Sequence, residues 1–131
     1  MCGSGYHGKI GTDGNHGSLG SGFTHGHTVL SDDDGETWYV GNEKFGDKYY
    51  VNELQAAQLP DGRVVVNSRV LNDRRVLSYS SDEGVTFDNV VEADSLRQTF
   101  QGCEGSMIYH EGGGKLLYSG VQGRLPARIY R

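Results

Sequence analysis

Glu53 and Arg69 flank a hairpin signal, Leu59-Pro60-Asp61-Gly62-Arg63. Pro-Asp-Gly is strong turn chemistry, because proline presets the first turn dihedral and glycine accepts a positive one. Antiparallel pairing returns a chain to the end it left. An acid entering the first strand and an arginine leaving the second therefore become neighbours. Such a pair suits an anionic ligand, since a planar guanidinium grips a carboxylate through two parallel hydrogen bonds and stays charged when desolvated. Arg74 and Arg75 follow closely, so the plain alternative for Arg69 is a solvated surface cation. Arg124, Arg128 and Arg131 form a second basic group further on.

Other reactive side chains lead less far. His7, His16, His25 and His27 cluster early, and His25 and His27 would share one face of a strand, as zinc or copper ligands can. Their Gly- and Ser-rich setting favours a solvated loop, so no metal and no other cofactor is expected. Asp32, Asp33 and Asp34 lack the ligand ladder of a calcium loop. Cys2 and Cys103 stand in no C-x-x-C spacing, and two thiols make no disulfide framework.

The elements that must position Glu53 and Arg69 follow from a repeat. Ser31, Asp33, Gly35, Thr37 and Trp38 recur as Ser80, Asp82, Gly84, Thr86 and Phe87. A unit returning after roughly fifty residues is the mark of a β-propeller built from four-stranded blades. The motif is structural: its Asp accepts from turn amides, its Gly takes a positive φ, and its aromatic ring, Trp38 or Phe87, is expected in the core.

Residues 1–22 read as a Gly/His-rich loop segment with at most a frayed strand near Cys2, and 23–131 as a partial propeller. Strands are expected over 23–30, 37–40, 54–59, 64–69, 75–79, 87–91, 105–109, 115–119 and 127–131. Residues 42–50 should loop between blades, and 111–114 should turn. Residues 92–101 are the one place for a short helix. One blade, about 54–92, is complete, and roughly two and a half are present in all. A further motif is due near position 132, so the chain reads as an internal fragment.

Among the 131 residues, 35% are hydrophobic and 21 are glycine against 2 proline, which suits an all-β protein of many tight turns. A net charge of −5 and the lack of a basic patch argue against nucleic acid as partner. No apolar run reaches the length of a membrane-spanning helix. Membrane association and compartment are not legible.

The order of three segments carries a resemblance. Asn52-Glu53-Leu54-Gln55, then Leu59 to Arg63, then Val66-Asn67-Ser68-Arg69 resembles the stretch of sialidases (neuraminidases), particularly of the animal type, that carries a glutamate and an arginine on one blade. Gln101-Gly102-Cys103-Glu104-Gly105-Ser106 followed by Leu116-Leu117-Tyr118-Ser119 is similar to that family's next blade, and Arg124 falls where it places another arginine. The repeated turns are similar to its Asp-boxes, also called BNR repeats.

The resemblance implies a six-bladed propeller acting as an exo-α-sialidase on terminal sialic acid of glycoproteins, glycolipids or oligosaccharides, without metal. Arg69 and Arg124 would be two of three arginines on the substrate carboxylate. Glu53 would be the general base for a tyrosine nucleophile, a neutral group that the anionic substrate does not repel. The family's first arginine and its acid/base aspartate lie upstream of anything present, and its tyrosine lies a blade beyond Arg124. Tyr130 stands at the wrong distance, and Tyr49 and Tyr50 precede Glu53. The chain alone is therefore expected to be inactive. The alternative is a non-catalytic Asp-box propeller or a lectin-like module that binds sialylated glycans without hydrolysis.

Overall fold

A computed structural model describes residues 2–7, 23–41, 45–46, 49, 51–70, 72–99, 102–121 and 128–130. The described residues are all-β and form three antiparallel sheets. The first has the order β1 (Cys2–His7), β2 (Phe23–Leu30), β3 (Tyr39–Val40). The second is a complete four-stranded meander of β4 (Leu54–Gln58), β5 (Val64–Ser68), β6 (Arg74–Ser80) and β7 (Asp88–Arg97). The third pairs β8 (Gly105–His110), β9 (Lys115–Gly120) and β10 (Arg128–Tyr130). The sheets form an open partial propeller. β1 falls inside the segment expected to be mainly loop, because its backbone groups find partners along β2 from Cys2–Thr28 to His7–Phe23.

In the stretch 92–101, the one place open to a short helix, residues 92–97 are strand. β7 runs through Arg97, pairing Glu92 with Val76, Ala93 with Arg75 and Arg97 with Arg74 across a bulge. Ladder hydrogen bonds to β6 override the helical preference of Glu, Ala, Leu and Arg.

β5 holds the assembly together because both of its faces are covered. Val65 joins Leu96, Met107 and Tyr118 in one core facing the third sheet. Val66, one residue on and so on the other face, packs with Phe45 and Phe87. A third cluster, Val51, Val70 and Val76, lies near the end of the sheet where Arg69 emerges. Two-sided burial explains the unbroken apolar run Val64-Val65-Val66, where a one-sided strand would alternate.

Phe45 and Phe87 stack across the seam between sheets one and two at 4.2 Å between ring centres. Phe45 belongs to the stretch 42–50 expected as loop, and its backbone bridges Gly26. Phe87→Leu stays apolar but gives up part of the volume and the ring pair, and is expected to lower stability by about 1–2 kcal/mol in a urea melt. Trp38 behaves differently from Phe87. Expected in the core, it is 52% exposed, with its Nε1 donating to the Gly35 carbonyl. Among the described residues no ring lies over it as Phe45 lies over Phe87.

The two repeated turns are bonded identically. Ser80 Oγ donates to Asp82 Oδ1 and accepts from the Gly84 amide, while the Thr86 amide and hydroxyl both donate to the Asp82 carboxylate. Ser31, Asp33, Gly35 and Thr37 repeat every one of these bonds. Gly35 and Gly84 have φ of 94° and 93°, a region that side chains disfavour.

The threonine hydroxyl bonds, then the threonine amides, hold both aspartates down at about 2 from an ordinary 3.8. A lowered carboxyl pKa stabilises the fold fully above the unfolded value and loses that contribution as pH falls through the folded one. Thr86→Val removes the largest cause at one turn. It is expected to move the acid-unfolding midpoint to higher pH, read by circular dichroism between pH 5 and about 2.

Candidate functional site

Strand direction divides each sheet into two ends. β4 begins just after Glu53, and β5 finishes just before Arg69, so both residues stand at one end of the second sheet. The Leu59–Arg63 turn and the repeated turn after β6 lie at the other end. Register makes the placement exact: Leu54 pairs with Ser68, and beyond that pair the Arg69 amide donates to the Glu53 carbonyl at 3.1 Å. The Asn52 amide then donates to the Arg69 carbonyl at 2.8 Å.

The side chains meet as the backbones do. Arg69 Nη1 lies 2.8 Å from Glu53 Oε2, with the arginine 17% and the glutamate 40% exposed. The pair is thus reachable by a ligand, yet the guanidinium is sheltered on most sides. Arg124, the third candidate, lies outside the described residues. The strand before it, β9, ends at Gly120 opposite Gly105, at the same end of its sheet as the start of β8.

Behind this pair lies an arginine that sequence reasoning missed. Arg75 is fully buried. Its Nε donates to Asn67 Oδ1 at 2.6 Å, and its Nη1 donates to the Cys103 carbonyl at 2.6 Å and to Gln98 Oε1 at 3.4 Å. Its guanidinium carbon sits 5.5 Å from the centre of the Tyr118 ring. Burial lowers the pKa of Arg75, opposed by Tyr118 and Glu53, while the Arg69 charge lowers it further. A signal was present: on β6, Arg75 shares a face with Leu77 and Tyr79, which point into the core around Val65. Arg74, one residue earlier and on the other face, is half-buried and pairs with Glu92 and Asp94.

Gln98 completes the support. Its Nε2 donates to the Val70 and Asn72 carbonyls at 2.7 Å each, and its amide donates to the Asp73 carbonyl at 2.8 Å. The loop leaving Arg69 is therefore tied to the end of β7, and an Arg97–Asp73 ion pair closes the same loop from outside.

A cleft of about 560 Å³ opens between β4 and β8, lined by Ala57, Leu59, Pro60, Met107, Tyr109 and Glu111 among others. It reaches the Leu59–Pro60 turn, and neither Glu53 nor Arg69 lines it. Chemistry therefore points to the ion-pair end. Among the described residues no three His, Cys, Asp or Glu side chains gather as a metal site; His16 and the side chains of His7 and His25 lie outside them. Cys103 is a free, exposed thiol. No helix among the described residues is long and apolar enough to cross a membrane.

Comparison with known proteins adds the wider context. No protein-family model and no curated protein sequence matches the chain. Among solved structures it is similar to the NanB sialidase of Streptococcus pneumoniae, with a TM-score of 0.68 and 24% identity over 80% of this chain and 17% of that one. The intramolecular trans-sialidase of Ruminococcus gnavus gives 0.67 and 22%, over 81% and 23% of the two chains. Trypanosoma rangeli sialidase, as its covalent intermediate with 2,3-difluorosialic acid, gives 0.56 and 26%, over 73% and 16%. The chain spans less than a quarter of the length of each of these three. Its fold is sialidase-like, and it corresponds to part of such a propeller.

Proposed function

We propose that this chain is part of an exo-α-sialidase, a retaining glycoside hydrolase of carbohydrate metabolism that releases terminal sialic acid from glycoproteins, glycolipids or oligosaccharides. The observation that carries the reading is the 2.8 Å Glu53–Arg69 pair at one end of a sheet in a sialidase-like fold. Arg69 and Arg124 clamp the substrate carboxylate. A guanidinium presents its N–H groups as a planar fork, the geometry that matches a substrate carboxylate.

Glu53 takes the proton of a tyrosine hydroxyl as that oxygen attacks the anomeric carbon, and the glycosidic oxygen leaves as the alcohol protonated by an acid. Water then displaces the tyrosine, giving a proton to the conjugate base of that acid, while the tyrosine oxygen recovers its proton from Glu53, with overall retention. The tyrosine, the acid and a third arginine come from the remainder of the propeller. A covalent intermediate with 2,3-difluorosialic acid in the similar Trypanosoma rangeli enzyme supports this chemistry.

The test is hydrolysis of a fluorogenic sialoside by the complete propeller containing this chain. Release of fluorophore that ceases in Glu53→Gln supports the reading. Tight sialoside binding without turnover would move the protein to the lectin class, and neither binding nor turnover would remove sialic acid as the ligand.

A further inference from the structure

Gly102 is buried, has φ +63°, and lies against the stem of Arg69. A Cβ built there would come within 2.9 Å of Arg69 Cγ and 2.7 Å of Gln98 Oε1. Real carbons do not approach so closely, so any side chain at this position must push the arginine stem or the glutamine head aside. The Gln98 head is not free to yield, being bonded to two carbonyls and to Arg75.

The turn carrying Gly102 is itself held. Its amide donates to the Thr99 carbonyl at 2.7 Å, and the next carbonyl, that of Cys103, accepts from the buried Arg75. Arg75 in turn is anchored on Asn67 of β5, two residues before Arg69. A closed mechanical loop results: β5, Arg75, the Gly102–Cys103 segment, and back onto the stem of Arg69.

We propose that Gly102 and Arg75 are positioning residues for Arg69. Arg75 pins the turn through the Cys103 carbonyl, and the bare α-carbon of Gly102 lets that turn set where the Arg69 guanidinium meets a sialoside carboxylate. Neither residue touches substrate. The part naming the sialoside rests on the sialidase reading; the part concerning the Arg69 side chain does not.

The two requirements at position 102 can be separated. Asparagine accepts positive φ far better than alanine does, but it is at least as bulky. Gly102→Ala and Gly102→Asn are therefore made in the complete propeller, and KM and kcat are measured on a fluorogenic sialoside. Displacing a clamp raises KM, and both variants are expected to do so by about tenfold or more with kcat within about threefold. Arg75→Lys keeps the charge but not the two-pronged hold, and its KM is expected to rise in the same direction.

Wild-type KM in Gly102→Asn would show that position 102 matters only for the backbone, and a fall in kcat alone in both variants would show that the clamp has not moved; either result overturns the proposal. The Arg69 Nε–Hε NMR resonance, compared between wild type and Gly102→Ala, gives a readout free of activity. A shifted resonance supports the placement even if the wild type turns over no sialoside, in which case it is the sialidase reading that fails. An unmoved resonance overturns the placement itself.

Discussion

Arg69→Lys in the complete propeller is expected to raise KM for a sialoside by about ten- to a hundredfold, with kcat less affected. The estimate comes from the loss of a charge-assisted contact worth about 1.5–3 kcal/mol, because an ammonium keeps the charge and gives up the planar fork. The ion pair with Glu53 is partly exposed, so breaking it changes stability by only about 0.2–1 kcal/mol. A thermal melt should thus barely move while KM climbs. Steady-state kinetics on a fluorogenic sialoside decide the matter, and an unaltered KM would remove Arg69 from the clamp.

Glu53→Gln has the larger expected effect on turnover. It keeps the size of the side chain and removes the proton acceptor, and general-base catalysis contributes about 10²- to 10⁴-fold. A loss of that size in kcat, with KM changed far less, would separate the base from the clamp. The contrast between the two variants is informative in itself. An arginine that binds and a glutamate that takes a proton should move different kinetic constants, although they stand 2.8 Å apart. Equal losses in both constants for both variants would instead point to a shared structural role.

The fold was legible where the signals are local. Pro60-Asp61-Gly62 and the two Ser-x-Asp-x-Gly turns specify their own geometry through side chains that bond their own backbone. The meander from β4 to β7 follows from those turns. Trp38 and the β7 extension were not legible, for a common reason. Burial of a ring depends on what the neighbouring sheet offers, and the fate of residues 92–97 depends on β6, well away in sequence. Glu53 and Arg69 were singled out from a hairpin and a resemblance, and the structure brings them together. Arg75 read as one more surface cation beside Arg74, until alternation along β6 placed the two on opposite faces.

The hairpin tip has a practical use. A carbon built on Gly62 meets nothing within 4 Å, and the tip lies at the far end of the sheet from Glu53 and Arg69. A dye or epitope grafted at the exposed Asp61, with Gly62 kept for its φ of 87°, would therefore stand clear of any glycan held at the other end. It would report on the tumbling or immobilisation of the whole assembly without disturbing ligand capture.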